Sequence, residues 1–194
     1  MNVHQMSVTY VSEQDRILLR INTTEGEEMR LWLTRRLMLG LWPGLNQTIL
    51  GGSSQPQVNA PVADDAARKM VAEFQRQAFL QKSDFATPYT VEDAALPLGP
   101  EPLLVSQVQV TPLSRGTDAQ QPQLRIHFQE KPGTGAPQRG FQLELAPQLS
   151  HGLLHLLERA LRESQWGLAG IGAAPAAEPE ATAAAGDERP KYLN

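Results

Sequence analysis

Two stretches decide the fold of this chain: LWLTRRLMLGL at residues 31–41 and LELAPQLSHGL at residues 143–153. Five positions coincide at a constant shift of 112 (143 − 31): Leu31 with Leu143, Leu33 with Leu145, Leu37 with Leu149, Gly40 with Gly152 and Leu41 with Leu153. Upstream, residues 19–21 and 124–126 coincide at a shift of 105 (124 − 19), and the difference falls in a longer loop at 130–138. Gaps in loops with core positions in register are typical of an internal duplication.

Each stretch completes a strand-rich region. Period-two alternation over residues 6–33 predicts three strands, and Thr34 is expected to cap a helix that stops at Pro43-Gly44. The same order returns from Leu104, Val108 and Val110, taken as core positions of a strand, to a helix at 147–166. A glycine inside a helix costs about 1 kcal/mol relative to alanine, so the matched glycines predict a close helix contact in both copies.

The region between the copies is expected to hold a linker and one further helix, at about 61–82. Apolar residues at helical spacing predict its buried stripe: Ala66, Ala67, Met70, Val71, Phe74 and Ala78. A proline-rich extended connection follows at 83–102. Beyond residue 166 the composition changes to Ala, Gly, Pro and Glu, which predicts a disordered C-terminal tail.

These patterns predict an α+β fold of duplicated β-β-β-α units packed by pseudo-twofold symmetry. The expected ranges are 1–50 for the first unit, 51–102 for the linker with its bridging helix, 103–166 for the second unit and 167–194 for the tail. A three-stranded sheet with one helix is too small to be comfortable alone. We therefore expect residues 1–166 to form one compact domain.

Composition narrows the function classes. A net charge of -4 argues against a dedicated nucleic-acid-binding surface over the whole molecule. The absence of cysteine excludes disulfides and thiol catalysis. The N-terminus does not resemble a secretion signal and apolar runs are short, so we expect a cytoplasmic protein with no membrane partner. Catalytic and cofactor motifs are missing, which predicts a protein that is not an enzyme and that needs no cofactor.

One histidine pair has the spacing of a metal site. His151 and His155 stand four apart on the last predicted helix, with Glu158 three further on, a spacing that can chelate a transition metal. The helical wheel places them with Arg162 on the face opposite Leu149 and Leu153. We interpret this face as solvated rather than metal-binding, because a metal site needs further ligands and supporting partners.

The candidate binding face belongs to the first copy. If Leu19 and Leu31 point inward, Arg20, Arg30 and Trp32 share the outer face of the sheet. Arg35 and Arg36 follow at the helix start, where the helix dipole disfavours cations; they would bind an anion there, or pair with Glu27 or Glu28, and we favour the pairing. The second copy has Gln142, Glu144, Pro147 and Gln148 at the positions of Arg30, Trp32, Arg35 and Arg36.

Our leading prediction is a non-catalytic binding or adaptor protein that meets another protein, or itself, through this face. The alternative is single-stranded nucleic-acid binding, in which bases stack on Trp32 and guanidinium groups meet phosphates. Duplicated sheet-plus-helix units resemble the architecture of Whirly-like and PUR-like single-strand binders, and the resemblance implies this alternative. A third interpretation has Trp32 covered by the helix at 61–82 or by a second subunit.

Overall fold

A computed structural model describes residues 2–50, 65–85, 87–90, 94–113, 123–131, 139–168 and 171. Within them, a six-stranded mixed sheet with three helices confirms the α+β class. The elements in chain order are β1 (Val3–Val11), β2 (Arg16–Thr23), β3 (Glu28–Thr34), α1 (Arg35–Leu50), α2 (Asp65–Lys82), β4 (Leu103–Leu113), β5 (Gln123–Glu130), β6 (Gly140–Leu145) and α3 (Pro147–Ser164).

The strands lie in the order β1-β2-β3-β4-β5-β6. All neighbours are antiparallel except β3 and β4, which run parallel through a short contact that pairs Leu31 with Leu103 and Trp32 with Leu104. Strands β1 to β3 therefore point the same way as β4 to β6, in the same sequence. The three-strand order predicted for each unit is confirmed.

One hydrophobic core serves both strand-rich regions. Five of the leucines matched at a shift of 112 lie in it, and Leu31 and Leu143 are both 0% exposed. The other three, Leu37, Leu41 and Leu149, are partly buried and pack against it. The core continues past the predicted boundary at residue 166, since Leu168 is buried and Ile171 packs against the cluster. The tail predicted to be disordered lies, beyond Ile171, outside the described residues.

The end predicted for α1 is wrong. Thr34 does cap the helix, its hydroxyl accepting a hydrogen bond of 3.3 Å from the Leu37 N–H, but the helix runs through Pro43 to Leu50. Trp42 and Leu45, on either side of the exposed proline, are buried in the core. Burial of these two side chains outweighs the local cost of a proline inside the helix.

The predicted orientation of Leu104 is also wrong. Leu103 and Val105 are buried, whereas Leu104 is 39% exposed. An irregularity between Val105 and Gln107 shifts the register of β4 against β5, so that Val108 and Val110 face the core as predicted. A bulge of this kind adds one residue and reverses the alternation, which period-two counting cannot detect.

Two predictions about helix packing need correction as well. A Cβ added at Gly40 or Gly152 would meet nothing within 4 Å, so neither glycine makes the expected close helix contact. Helix α2 forms as predicted over its described part, with residues 61–64 outside it. Its predicted buried stripe is wrong at Met70 and Phe74, which are 73% and 74% exposed, while the side chains of Ala66, Ala67 and Val71 lie outside the described part.

Candidate binding grooves

Three of the predicted site residues meet on the outer face of the sheet. Arg20 lies opposite Arg30 in the β2–β3 pairing, and Trp32 lies between Leu18 of β2 and Leu104 of β4. The side chains of Arg20, Arg30 and Trp32 are each partly buried. The predicted grouping of Arg20, Arg30 and Trp32 on one sheet face is therefore present.

The chain between α2 and β4 covers part of this face. The Arg20 guanidinium lies 4.3 Å from the centre of the Tyr89 ring, and Arg30 donates a hydrogen bond to the carbonyl of Pro100. The Tyr89 hydroxyl donates to Glu28 Oε1 at 3.2 Å. Burial, reinforced by the Glu28 carboxylate, raises the pKa of Tyr89. Both sheet arginines thus have partners within the chain.

Arg35 and Arg36 lie elsewhere, at the exposed start of α1. The predicted pairing with Glu27 or Glu28 is wrong, because those residues lie at the opposite end of β3, roughly 20 Å away at the rise of a strand. Arg35 acts instead on Asp15, whose carboxylate accepts hydrogen bonds from the Trp166 indole at 2.6 Å and the Tyr10 hydroxyl at 2.9 Å. These two hydrogen bonds lower the pKa of Asp15.

Arg36 lines a groove of about 820 Å³ between α1 and β4, which we call the first groove. One wall is a single face of α1 that includes Leu37, Gly40, Gly44 and Thr48. The other wall is formed by β4, with Lys131 beyond the end of β5. The groove therefore joins the helix of the first unit to the first strand of the second.

The β4 wall is a strand edge rather than a sheet face. Residues 104–108 line the groove consecutively. Because successive side chains point to opposite faces, a groove on one face would meet only every second residue. Past Leu104 the described residues offer β4 no strand partner on the side away from β5. Among the described residues, the edge of β4 past Leu104 is thus unpaired, and its part from Val105 to Val108 opens into the first groove.

A second groove repeats this arrangement between β1 and α3. It measures about 490 Å³ and is lined consecutively by residues 3–9 of β1, whose only partner strand in the described sheet is β2. The wall on α3 includes Leu149, Gly152 and Leu156, which match Leu37, Gly40 and Gly44 of the first groove at the shift of 112. Each groove is therefore built from the helix of one unit and the first strand of the other.

The second groove is partly filled by the chain itself. The segment at 83–89 forms part of its wall, next to β1. The Gln5 amide donates to the carbonyls of Pro88 at 3.0 Å and Thr87 at 3.4 Å, and accepts from the Thr90 N–H at 3.4 Å. The described lining of the first groove contains no such segment, only α1, β4, Lys131 and Thr34 at the end of β3.

The two grooves also differ in charge. Arg36 and Lys131 line the first groove, and its described lining includes no Asp or Glu. The second groove sets His4 and Arg159 against Asp84. The first groove is thus cationic at one end, whereas the second carries both signs.

The prediction that the histidine face of α3 is solvated is wrong. His151 is 6% exposed and stacks on Phe79 of α2 with ring centres 5.0 Å apart, while His155 lies against Phe85 at the same distance. Arg76 of α2 forms an ion pair with Glu158. Burial, and secondly the Arg76 charge, lowers the pKa of both histidines. This face is an interface that holds α2 on α3.

No group of three or more His, Cys, Asp or Glu able to hold a metal ion occurs in the described part of the chain. Among the described helices, none has the length and apolar character needed to cross a membrane. Comparison with protein-family models, curated proteins and solved structures finds no match. The grooves are therefore interpreted from their own geometry.

Sequence reasoning named Arg36 but missed the grooves. One available signal was Pro112, inside the strand pattern of β4. Proline cannot donate a ladder hydrogen bond and is confined to edge strands, first positions and bulges, so it indicated that β4 has a free edge. The second wall could not be found this way, because the packing of α1 against β4 depends on contacts between residues far apart in sequence.

Proposed function

We propose that this chain is a non-catalytic protein-binding module, an adaptor, that receives a partner protein in the first groove. The observation that carries the proposal concerns the edge of β4 that has no partner strand among the described residues. This edge faces α1 across the first groove, whose volume is about 820 Å³. Natural proteins protect exposed strand edges with charged side chains, prolines or covering elements. Residues 106–111 of β4 carry neither charge nor proline, so this part of the edge, before Pro112, is suited to pairing.

The proposal keeps binding in the first unit but moves its centre from the sheet face to the groove. Arg36 lines the groove, and Trp32 is the register neighbour of Leu104, which also lines it. Arg20 and Arg30 are less suited to a partner, since Tyr89 and the Pro100 carbonyl engage them. Single-stranded nucleic-acid binding and a cytoplasmic location stay predictions from the sequence.

We further infer that the two units arose by duplication and are related by a pseudo-twofold axis. The reciprocal exchange of helices supports this, because α1 lies against β4 and α3 lies against β1. A simple translation along the sheet would carry α3 beyond β6, not back to β1. The parallel β3–β4 pair supports a rotation that preserves strand direction, with an axis along the strands. The two grooves are then equivalent sites.

Selection from a random peptide library displayed on phage tests the proposed function. We expect the immobilised full chain to enrich peptides whose synthetic versions bind with micromolar affinity. Replacement Gly40→Leu should abolish that binding, because the added side chain enters open groove space while leucine favours the helix. The matched control is Gly152→Leu, which changes the second groove and should bind the same peptides as the wild type.

The proposal fails if the wild type enriches no peptide over an empty surface. It fails also if Gly40→Leu, shown by circular dichroism to be folded, binds the selected peptides as the wild type does. A fluorescent thymidine oligonucleotide at low salt serves as a parallel probe. Binding of that probe which weakens in Arg20→Gln and Arg30→Gln, in a chain that selects no peptide, would establish the nucleic-acid alternative instead.

A further inference from the structure

We infer that the occupant of the first groove is an extended peptide that adds a strand antiparallel to β4 and carries acidic residues at its C-terminal end. The inference rests on the proposed function and specifies the chemistry of the partner. In strand addition, main-chain hydrogen bonds supply affinity and alternate side chains supply specificity. The unpaired edge from Val105 onward provides those main-chain groups.

The second groove contains a precedent for a non-helical polypeptide as occupant. There the chain's own segment, with no helix or strand at 87–90, lies beside the edge of β1 and is held through its main-chain groups by Gln5. The first groove presents the matching helix wall and the matching strand, without an own-chain segment among its described lining. A non-helical polypeptide is therefore the occupant that this geometry favours, and the unpaired edge of β4 suits it to an extended conformation.

Charge sets the direction and the end of the peptide. Arg36 lies at the start of α1, and Lys131 follows Glu130, the register partner of Val105, so both cations lie where β4 begins. The nearby Glu130 carboxylate is held by Arg139 at 2.7 Å and by the Leu104 N–H at 3.2 Å. Antiparallel pairing is slightly more stable per residue and brings the C-terminus of the added strand to this end.

The helix wall determines which side chains the peptide carries. Gly40 and Gly44 leave open space along the face of α1, where an added Cβ would meet nothing within 4 Å. Leu37, Leu41 and Leu45 supply the apolar surface around that space. Alternate side chains of an added strand would lie on the core face of the sheet, where α1 packs, so β-branched apolar residues at those positions fit this surface best.

A designed probe tests the inference: a short, fluorescein-labelled peptide of alternating valine and threonine that ends in two glutamates. We expect it to bind the full chain in fluorescence anisotropy and to slow hydrogen exchange of β4 amides beyond Leu104, without slowing β1. Replacement of the two glutamates by lysines should weaken binding about tenfold or more. The double variant Arg36→Glu/Lys131→Glu should reverse this preference, which a merely unfolded variant would not do.

Several outcomes overturn the inference and leave the proposed function standing. These are binding of library-selected peptides with no protection of β4 amides, or a probe whose affinity is the same with glutamates and lysines. Another occupant is tested by sedimentation velocity of the chain alone. A dimer that Gly40→Leu dissociates would make a second copy the occupant. If the library selects nothing and the probe does not bind, the proposed function itself fails.

Discussion

The two grooves have the same construction but different contents. In the second groove, between β1 and α3, the segment at 83–89 lies against the strand edge, and α2 covers the neighbouring face of α3. In the first groove, between α1 and β4, no described segment takes the corresponding place. The same pairing of a helix with a strand edge thus holds a segment of the chain in the second groove and leaves a larger cavity, among the described residues, in the first groove. The difference between the copies, more than their likeness, indicates where a partner binds.

Removal of matched core leucines has the largest expected effect and tests whether the two grooves belong to one folding unit. Leu31→Ala and Leu143→Ala should each lower the free energy of unfolding by about 2–5 kcal/mol, since each deletes a fully buried side chain and leaves a cavity. Urea denaturation should show one transition, followed alike by tryptophan fluorescence and circular dichroism, because both leucines belong to one core.

Leu39→Ala is the control, since Leu39 is 50% exposed and its truncation should change stability by no more than about 0.5 kcal/mol. Two separate transitions in Leu143→Ala would contradict a shared core if only the transition of the first unit retains wild-type stability. The grooves would then lie between independent units, and their equivalence would lose its basis.

Features set by residues close together in the sequence were predicted correctly, whereas features set by tertiary contacts were not. The buried strand leucines Leu31, Leu33, Leu143 and Leu145 were found because alternation is a local property of a strand. Leu104 was misplaced by a bulge, and α1 was ended too early at Pro43, where tertiary burial outweighs propensity. The burial of His151 depends on α2, whose rotation about its axis the apolar stripe did not reveal.

Acidification has the next largest expected effect on the free energy of unfolding, and it acts on the face of α3 that α2 covers. The pKa of His151 is lowered in the folded chain, so the unfolded chain binds more protons between that value and the ordinary pKa of 6.5. The free energy of unfolding should therefore fall as pH drops through 6.5 towards the lowered pKa. The slope from one histidine is no more than about 1.4 kcal/mol per pH unit.

His155 contributes with the same sign, and the charged groups that act on the pair are Arg76, Glu158, Arg162 and Arg159. Urea denaturation at a series of pH values checks the prediction, with His151→Phe as the variant because phenylalanine can keep the stack on Phe79. The slope should decrease in His151→Phe relative to the wild type. An equal slope in His151→Phe and the wild type would show that this histidine does not couple α2 docking to pH.

The smallest expected effect comes from Gln5, which joins β1 to the segment in the second groove. Gln5→Ala should lower the free energy of unfolding by only about 0.5–1.5 kcal/mol, because its hydrogen bonds are exposed. Gln109→Ala is the matched control. Met6 pairs with Ile21 as Val110 pairs with Ile126, so Gln109 is the β4 counterpart of Gln5, and its side chain makes no hydrogen bond within the described residues.

Hydrogen exchange distinguishes the two variants more sharply than stability does. In Gln5→Ala the amide of Thr90 should exchange faster, and the probe peptide should gain weak binding that protects β1, because the vacated second groove then resembles the first. Gln109→Ala should change neither. If the amide of Thr90 exchanges faster but β1 gains no protection from the probe, an open strand edge beside a helix is insufficient for binding. The cations Arg36 and Lys131 would then be what makes the first groove a binding site.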